Sequence, residues 1–113
     1  MIQHAINVRN KINKKYGFNI KVINLSSLTD INHNHLLKIV GDVEFIVTLE
    51  DHSIFGGLGG IITEIFSEKK PCKIFRIGLK RNFAECGKPE QLFEKYELDE
   101  NTLFQNIRKN LKL

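Results

Sequence analysis

A three-layer α/β/α fold with a mainly parallel sheet is predicted by three features of this 113-residue chain. First, Phe45-Ile46-Val47-Thr48-Leu49 is an unbroken apolar and β-branched run, the composition of a strand buried on both faces, as parallel sheets require. Second, polar residues Glu50-Asp51-His52-Ser53 and the glycines Gly56, Gly57, Gly59 and Gly60 follow that run, and then apolar residues at helical spacing, Ile61, Ile62, Ile65 and Phe66, so the order is strand, turn, helix. Third, strand-like segments alternate with helical ones along the chain, the pattern that right-handed crossovers turn into a parallel sheet.

The elements follow in order. Ile2 to Tyr16 sets Ile2, Ala5, Ile6 and Ile12 against Lys and Asn, and Gly17 is a natural left-handed stop, so this is an amphipathic helix. Ile20-Lys21-Val22-Ile23-Asn24-Leu25 is a strand by its β-branching, and Ser26 to Asp30 supply turn chemistry after it. Asn32 caps a short helix through Leu36, Leu37 and Val40 that Gly41 closes. The helix opened by the glycines runs to about Glu68, where Lys69, Lys70 and Pro71 end it, and Cys72 to Ile77 is the next strand. Gly78 to Lys88 is the longest irregular stretch, and Pro89 suits the first turn of a helix through Leu92, Phe93 and Tyr96. Asp99 caps a last helix striped by Leu103, Phe104, Ile107 and Leu111.

Size and charge narrow the function. The length suits one domain, residues 1–113, with one core. No apolar run approaches the roughly 20 residues that cross a bilayer, and His4, Asn7, Arg9 and Asn10 interrupt any signal-peptide pattern, so no membrane association and a cytoplasmic location are expected. The net charge of +4 raises nucleic-acid binding, but the lysines near Lys11 and Lys70 lack aromatic interleaving or a known motif and read as solvated faces. No nucleic-acid partner is expected. Cys72 and Cys86 lack Cys-x-x-Cys spacing and are expected free, and His33 and His35 read as exposed residues at a helix start rather than half of a zinc site.

Chemistry concentrates at the end of the central strand. Glu50, Asp51 and His52 stand where open α/β sheets place their crevices, beside glycines that let the backbone turn and another surface approach. The segment is not a dinucleotide fingerprint, because Gly57-Leu58-Gly59-Gly60-Ile61-Ile62 has Ile at the third glycine position. Free amides at the helix start could hold an anion, and the competing role for the glycines is close packing of the helix on the sheet or a partner.

This stretch resembles the C-terminal domain of the transketolase family of thiamine-diphosphate enzymes, especially members made as separate N- and C-terminal subunits. Val47-Thr48-Leu49-Glu50-Asp51-His52-Ser53 and Gly56-Gly57-Leu58-Gly59 match its Val-Thr-Val-Glu-Glu-His-Ser and Gly-Gly-Leu-Gly in order and spacing. Lys21 to Leu25 is similar to its Arg-Val-Ile-Asn-Leu, Ile77-Gly78 to its Arg-Ile-Gly-Val, Phe83 to Gly87 to its Phe-Gly-Glu-Ser-Gly, and Glu90 to Tyr96 to its Glu-Leu-Leu-Glu-Lys-Tyr. Lys80, Cys86 and Glu97 depart from the pattern.

The resemblance implies part of an enzyme that transfers two-carbon ketol units between sugar phosphates. It implies that thiamine diphosphate and magnesium are held by preceding domains, and that this chain binds no cofactor and supplies no catalytic residue. The implied partners are N-terminal transketolase domains or a separate subunit, with homo-oligomers, and the implied role is dimer assembly or regulation. Glu50, Asp51, His52, Gly56, Gly57, Gly59 and Gly60 are the candidate interface or regulatory residues. The rival from another class is a free-standing module binding a small molecule or anion with the same segment. The family normally has two further strands before the first helix, so the domain is expected to be incomplete at its N-terminus and to self-associate through strand edges left open, rather than to close up with Ile20–Leu25 paired directly to Phe45–Leu49 in a three-stranded sheet.

Overall fold

The computed structural model describes residues 1–27, 29–79 and 98–113, except the side chains of residues 51–53. Of the irregular stretch expected from Gly78 to Lys88, Gly78 and Leu79 belong to a strand instead, and the rest, with the helix expected from Pro89, lies outside the described residues. Chain contacts define two compact units, one of Met1–Asn24 with Asn82–Leu113, the other of Leu25–Arg81.

In the first unit α1 (Ile2–Tyr16) packs against α4 (Glu100–Asn110). Gly17 ends α1 in the left-handed conformation at φ 73° and returns its N–H to the Asn13 carbonyl, as the sequence suggests. The buried stripe differs from expectation: Val8 and Ile12 are buried, whereas Ile2 is 43% exposed. Positions 8 and 12 lie one turn apart on one face, and Ile2 and Ile6 fall well round the helix from it. On α4, Leu103 and Ile107 form the matching stripe, and the Asp99 carboxylate accepts from both the Thr102 N–H (3.1 Å) and the Thr102 hydroxyl (2.7 Å). Asn7 donates to Glu100 at 2.6 Å, and Lys11 pairs with the same carboxylate at 3.6 Å.

The second unit holds α2 (His33–Val40), β1 (Phe45–Ser53), α3 (Leu58–Lys69) and β2 (Lys73–Leu79). Asn32 caps α2 through the His35 N–H. β1 and β2 form a parallel pair in register from Phe45↔Lys73 to Leu49↔Ile77, then Ser53↔Leu79. Ile46 and Ile74 share a core with Leu36, Ile62, Ile65 and Phe66, so the even-numbered strand residues face α2 and α3. Phe45 and Phe75 stack on the opposite face with ring centroids 6.0 Å apart.

The α/β class and parallel pairing agree with the sequence, but two expectations are corrected. Ile20–Leu25 is not a strand: among the described residues the sheet has two members, in the order β1-β2. β-Branching supplies a tendency to be extended, and without a neighbouring ladder the backbone finds other partners, such as the Ile20 N–H on the Asn13 side-chain oxygen at 3.1 Å. The central strand, expected to stop at Leu49, runs on through Ser53 across an irregularity in pairing after Leu49.

Candidate functional site

The extension of β1 carries Glu50, Asp51 and His52 into the strand itself rather than into the loop beyond it. Glu50 is 7% exposed and turns toward α3. Its two carboxylate oxygens divide between two amides of the first helical turn, Leu58 N–H at 2.5 Å and Gly59 N–H at 3.0 Å. A helix start carries unpaired amides and the positive end of the backbone dipole, so a buried carboxylate is stabilised there and stabilises the helix in return. The anion that the glycine-rich helix start could have drawn from solution is already supplied by Glu50. Sequence reasoning placed Glu50 in the site but missed this bond, because a cap eight residues upstream lies outside the three-residue spacing of a capping box.

The glycines divide by task. Gly56 takes φ 72°, a left-handed turn that side chains disfavour. Gly57 is the extended residue before α3. Gly59 lies flat on the sheet: a Cβ there would stand 2.9 Å from the Thr48 Oγ1 and 2.9 Å from Arg76 Cγ and Cδ. Gly60 has open space where its Cβ would be. Close packing of helix on sheet is therefore the work of Gly59.

The loop between β1 and α3 is tied at its start through Ile54. The Ile54 N–H donates to the Leu79 carbonyl at 2.9 Å, and Arg76 Nη1 donates to the Ile54 carbonyl at 3.3 Å. From this loop Phe55 projects, 64% exposed. Alongside, an open groove between α3 and β2 is lined by Gly60, Thr63, Ser67, Cys72 and Arg76. Burial raises the Cys72 thiol above its ordinary pKa, with the Lys70 charge pulling weakly the other way, so the thiol stays protonated and is a poor nucleophile. His33 and His35 are exposed on α2, and no cluster of three metal-binding side chains occurs among the described residues.

A parallel strand whose buried glutamate clamps a glycine-rich helix start defines an α/β packing module. Residues 1–103 match the family described as transketolase, C-terminal domain, and the chain belongs to that family. It is 35% identical over 103 residues to a 1-deoxy-D-xylulose-5-phosphate synthase of Caldanaerobacter subterraneus subsp. tengcongensis, a match covering 90% of this chain and 17% of that protein. It is 32% identical over 103 residues to a putative transketolase C-terminal section of Methanocaldococcus jannaschii, covering 90% of this chain and 32% of the relative. Among solved structures, a split-gene transketolase described as an inactive β4 tetramer superposes with a TM-score of 0.84 at 28% identity, over 99% of this chain and 36% of that one. The chain thus corresponds to the C-terminal part of larger or split transketolase-type proteins and spans under two-fifths of each. No helix among the described residues is long and apolar enough to cross a membrane.

Proposed function

We propose that this chain is the C-terminal section of a cytoplasmic transketolase-type enzyme that moves two-carbon ketol units between sugar phosphates. It acts by assembly with N-terminal domains or an N-terminal subunit and with further copies of itself, and it is inactive alone. The observation that carries this reading is coverage: nearly the whole chain aligns, yet it accounts for 17% of one relative and 32% of another.

Thiamine diphosphate and magnesium belong to the other parts of the enzyme. The residues here do not fit a diphosphate, because the Leu58 and Gly59 amides are bonded to Glu50 and its charge repels a second anion at that place. The same bonds weigh against a free-standing anion-binding module. The strand end and its loop, with Glu50, Asp51, His52 and Gly56 to Gly60, serve assembly or regulation: Glu50 and Gly59 hold the loop between β1 and α3, and Phe55 offers apolar surface to a partner.

Mixing tests this reading. Added to the N-terminal section of a split transketolase, the chain is expected to restore thiamine-diphosphate-dependent turnover of a ketose phosphate, while the chain alone neither turns it over nor binds the cofactor in calorimetry. Micromolar cofactor binding by the lone chain would sink the assignment.

A further inference from the structure

We infer that the joint C-terminal end of α1 and α4 is a docking surface for an acidic protein segment. The two helices run in the same direction, because contacts advance together along both: His4 with the Leu98 carbonyl, Asn7 and Lys11 with Glu100, and Lys15 over the Phe104 ring at 5.7 Å. Their last turns therefore gather Lys14, Lys15, Arg108 and Lys109, with Lys112 just beyond.

Two helix C-termini together carry about one negative charge, which complements only a fraction of five cations. No side-chain carboxylate among the described residues of the first unit sits at this end, where Arg108 Nη1 donates to the Leu113 carbonyl at 3.5 Å. Asp99 and Glu100 sit at the opposite end of α4, the former bonded to Thr102 and the latter to Asn7 and Lys11. By sequence the first unit, Met1–Asn24 with Asn82–Leu113, holds ten lysines and arginines against six carboxylates, whereas Leu25–Arg81 holds seven of each. The positive excess is local.

An apolar side chain accompanies the charge. Phe18 is 41% exposed directly after Gly17, in a turn held by the Gly17 N–H on the Asn13 carbonyl and the Ile20 N–H on the Asn13 side chain. Cations in the last helical turns and an exposed aromatic that follows one of them suit a protein segment that offers carboxylates and an apolar residue. A phosphate backbone fits less well, since helix C-termini present carbonyls rather than the amides that commonly hold phosphates.

The test is fluorescence anisotropy of a labelled Glu-rich peptide carrying one Leu, titrated with the full chain at low and physiological salt. Lys14→Glu with Lys109→Glu is compared with Lys38→Glu and Lys69→Glu, also in last helical turns and equal in charge change. The first pair is expected to weaken binding about tenfold or more, the second about twofold or less, by loss of local against distant attraction. Circular dichroism checks the fold, and Lys14→Gln with Lys109→Gln gives a milder loss in the same direction. Equal weakening by both pairs would overturn the inference, as would tighter binding of a DNA duplex than of the peptide at matched salt. This outcome is independent of transketolase complementation.

Discussion

Glu50 and Gly59, nine residues apart in sequence, are joined by a hydrogen bond of 3.0 Å that ties the end of β1 to the first turn of α3. With the companion bond to Leu58 it converts a glycine-rich helix start, intrinsically poor at nucleation, into a fixed corner.

Glu50→Gln keeps the size of the side chain but removes its charge and turns an NH2 group toward one of the two amides. Charge-assisted bonds to a buried acceptor set the expected loss at about 1–3 kcal/mol. Urea denaturation of both proteins measures it, and a change below about 0.5 kcal/mol, the level of ordinary surface substitutions, would show that the clamp does not matter to folding.

Two neighbouring glycines should respond in opposite directions. Gly59→Ala forces a methyl to within 2.9 Å of Thr48 Oγ1 and Arg76, and is expected to cost about 1–3 kcal/mol as an overpacked contact. Gly60→Ala enters open space and should gain up to about 1 kcal/mol from helix propensity. Thermal melts of the pair check the signs, and a stabilised Gly59→Ala would mean that α3 lifts off the sheet without penalty.

The Thr48 hydroxyl is buried without a hydrogen-bond partner. Thr48→Val, nearly equal in shape, removes the desolvated hydroxyl and is expected to stabilise the fold by about 1 kcal/mol. A comparable loss in the denaturation midpoint would reveal a bond that the hydroxyl makes in solution.

How much of this was legible beforehand follows from the range of the forces involved. Helix ends with local signals were readable, since Gly17, Asn32 and Asp99 act within a few residues of themselves. The strand Ile20–Leu25 was misread because β-branching describes a residue's preference, whereas a ladder needs a partner that composition does not display. In the site, the glycines were recognised as a group, but only three-dimensional contact separates Gly59, where an added Cβ would press on Thr48 and Arg76, from Gly60, where it would meet open space. The Glu50 clamp was hidden for the same reason: its bonds span a loop.

Acid should loosen α4 first at its start. The side-chain bond from Thr102 is the main cause that holds the Asp99 carboxyl below its ordinary value of 3.8, with backbone N–H groups adding to it and burial opposing it. A depressed folded value means that the contribution is fully present above the unfolded value and is lost as pH falls through the folded one, so the window lies below about pH 4. Asp99→Ala should cost about 1 kcal/mol at neutral pH, with a difference from the parent that shrinks in that window. Urea midpoints of both proteins between about pH 2 and 7 measure it, and a constant difference would assign the effect to something other than the ionised cap.

The side of β1 away from β2 carries the last prediction. Among the described residues β1 pairs with β2 alone, although its nine residues run the length of the sheet. A parallel pair is weak in isolation, and an unpaired edge presents amides and carbonyls in a row suited to another strand. Apolar side chains sharpen the point, because Phe45, Val47 and Leu49 are only partly buried along that strand. These side chains stand on the sheet face away from α3, so a further strand at the edge would extend that apolar face as well as complete the backbone ladder. The chain is therefore expected to self-associate, with a mass by light scattering that rises with concentration. Replacing Val47 by Lys should shift it toward monomer, because a charge on an edge strand opposes further pairing. Slow amide exchange along β1, appearing only at concentrations where the oligomer forms, would locate the contact. A strict monomer at every concentration would refute association through this edge.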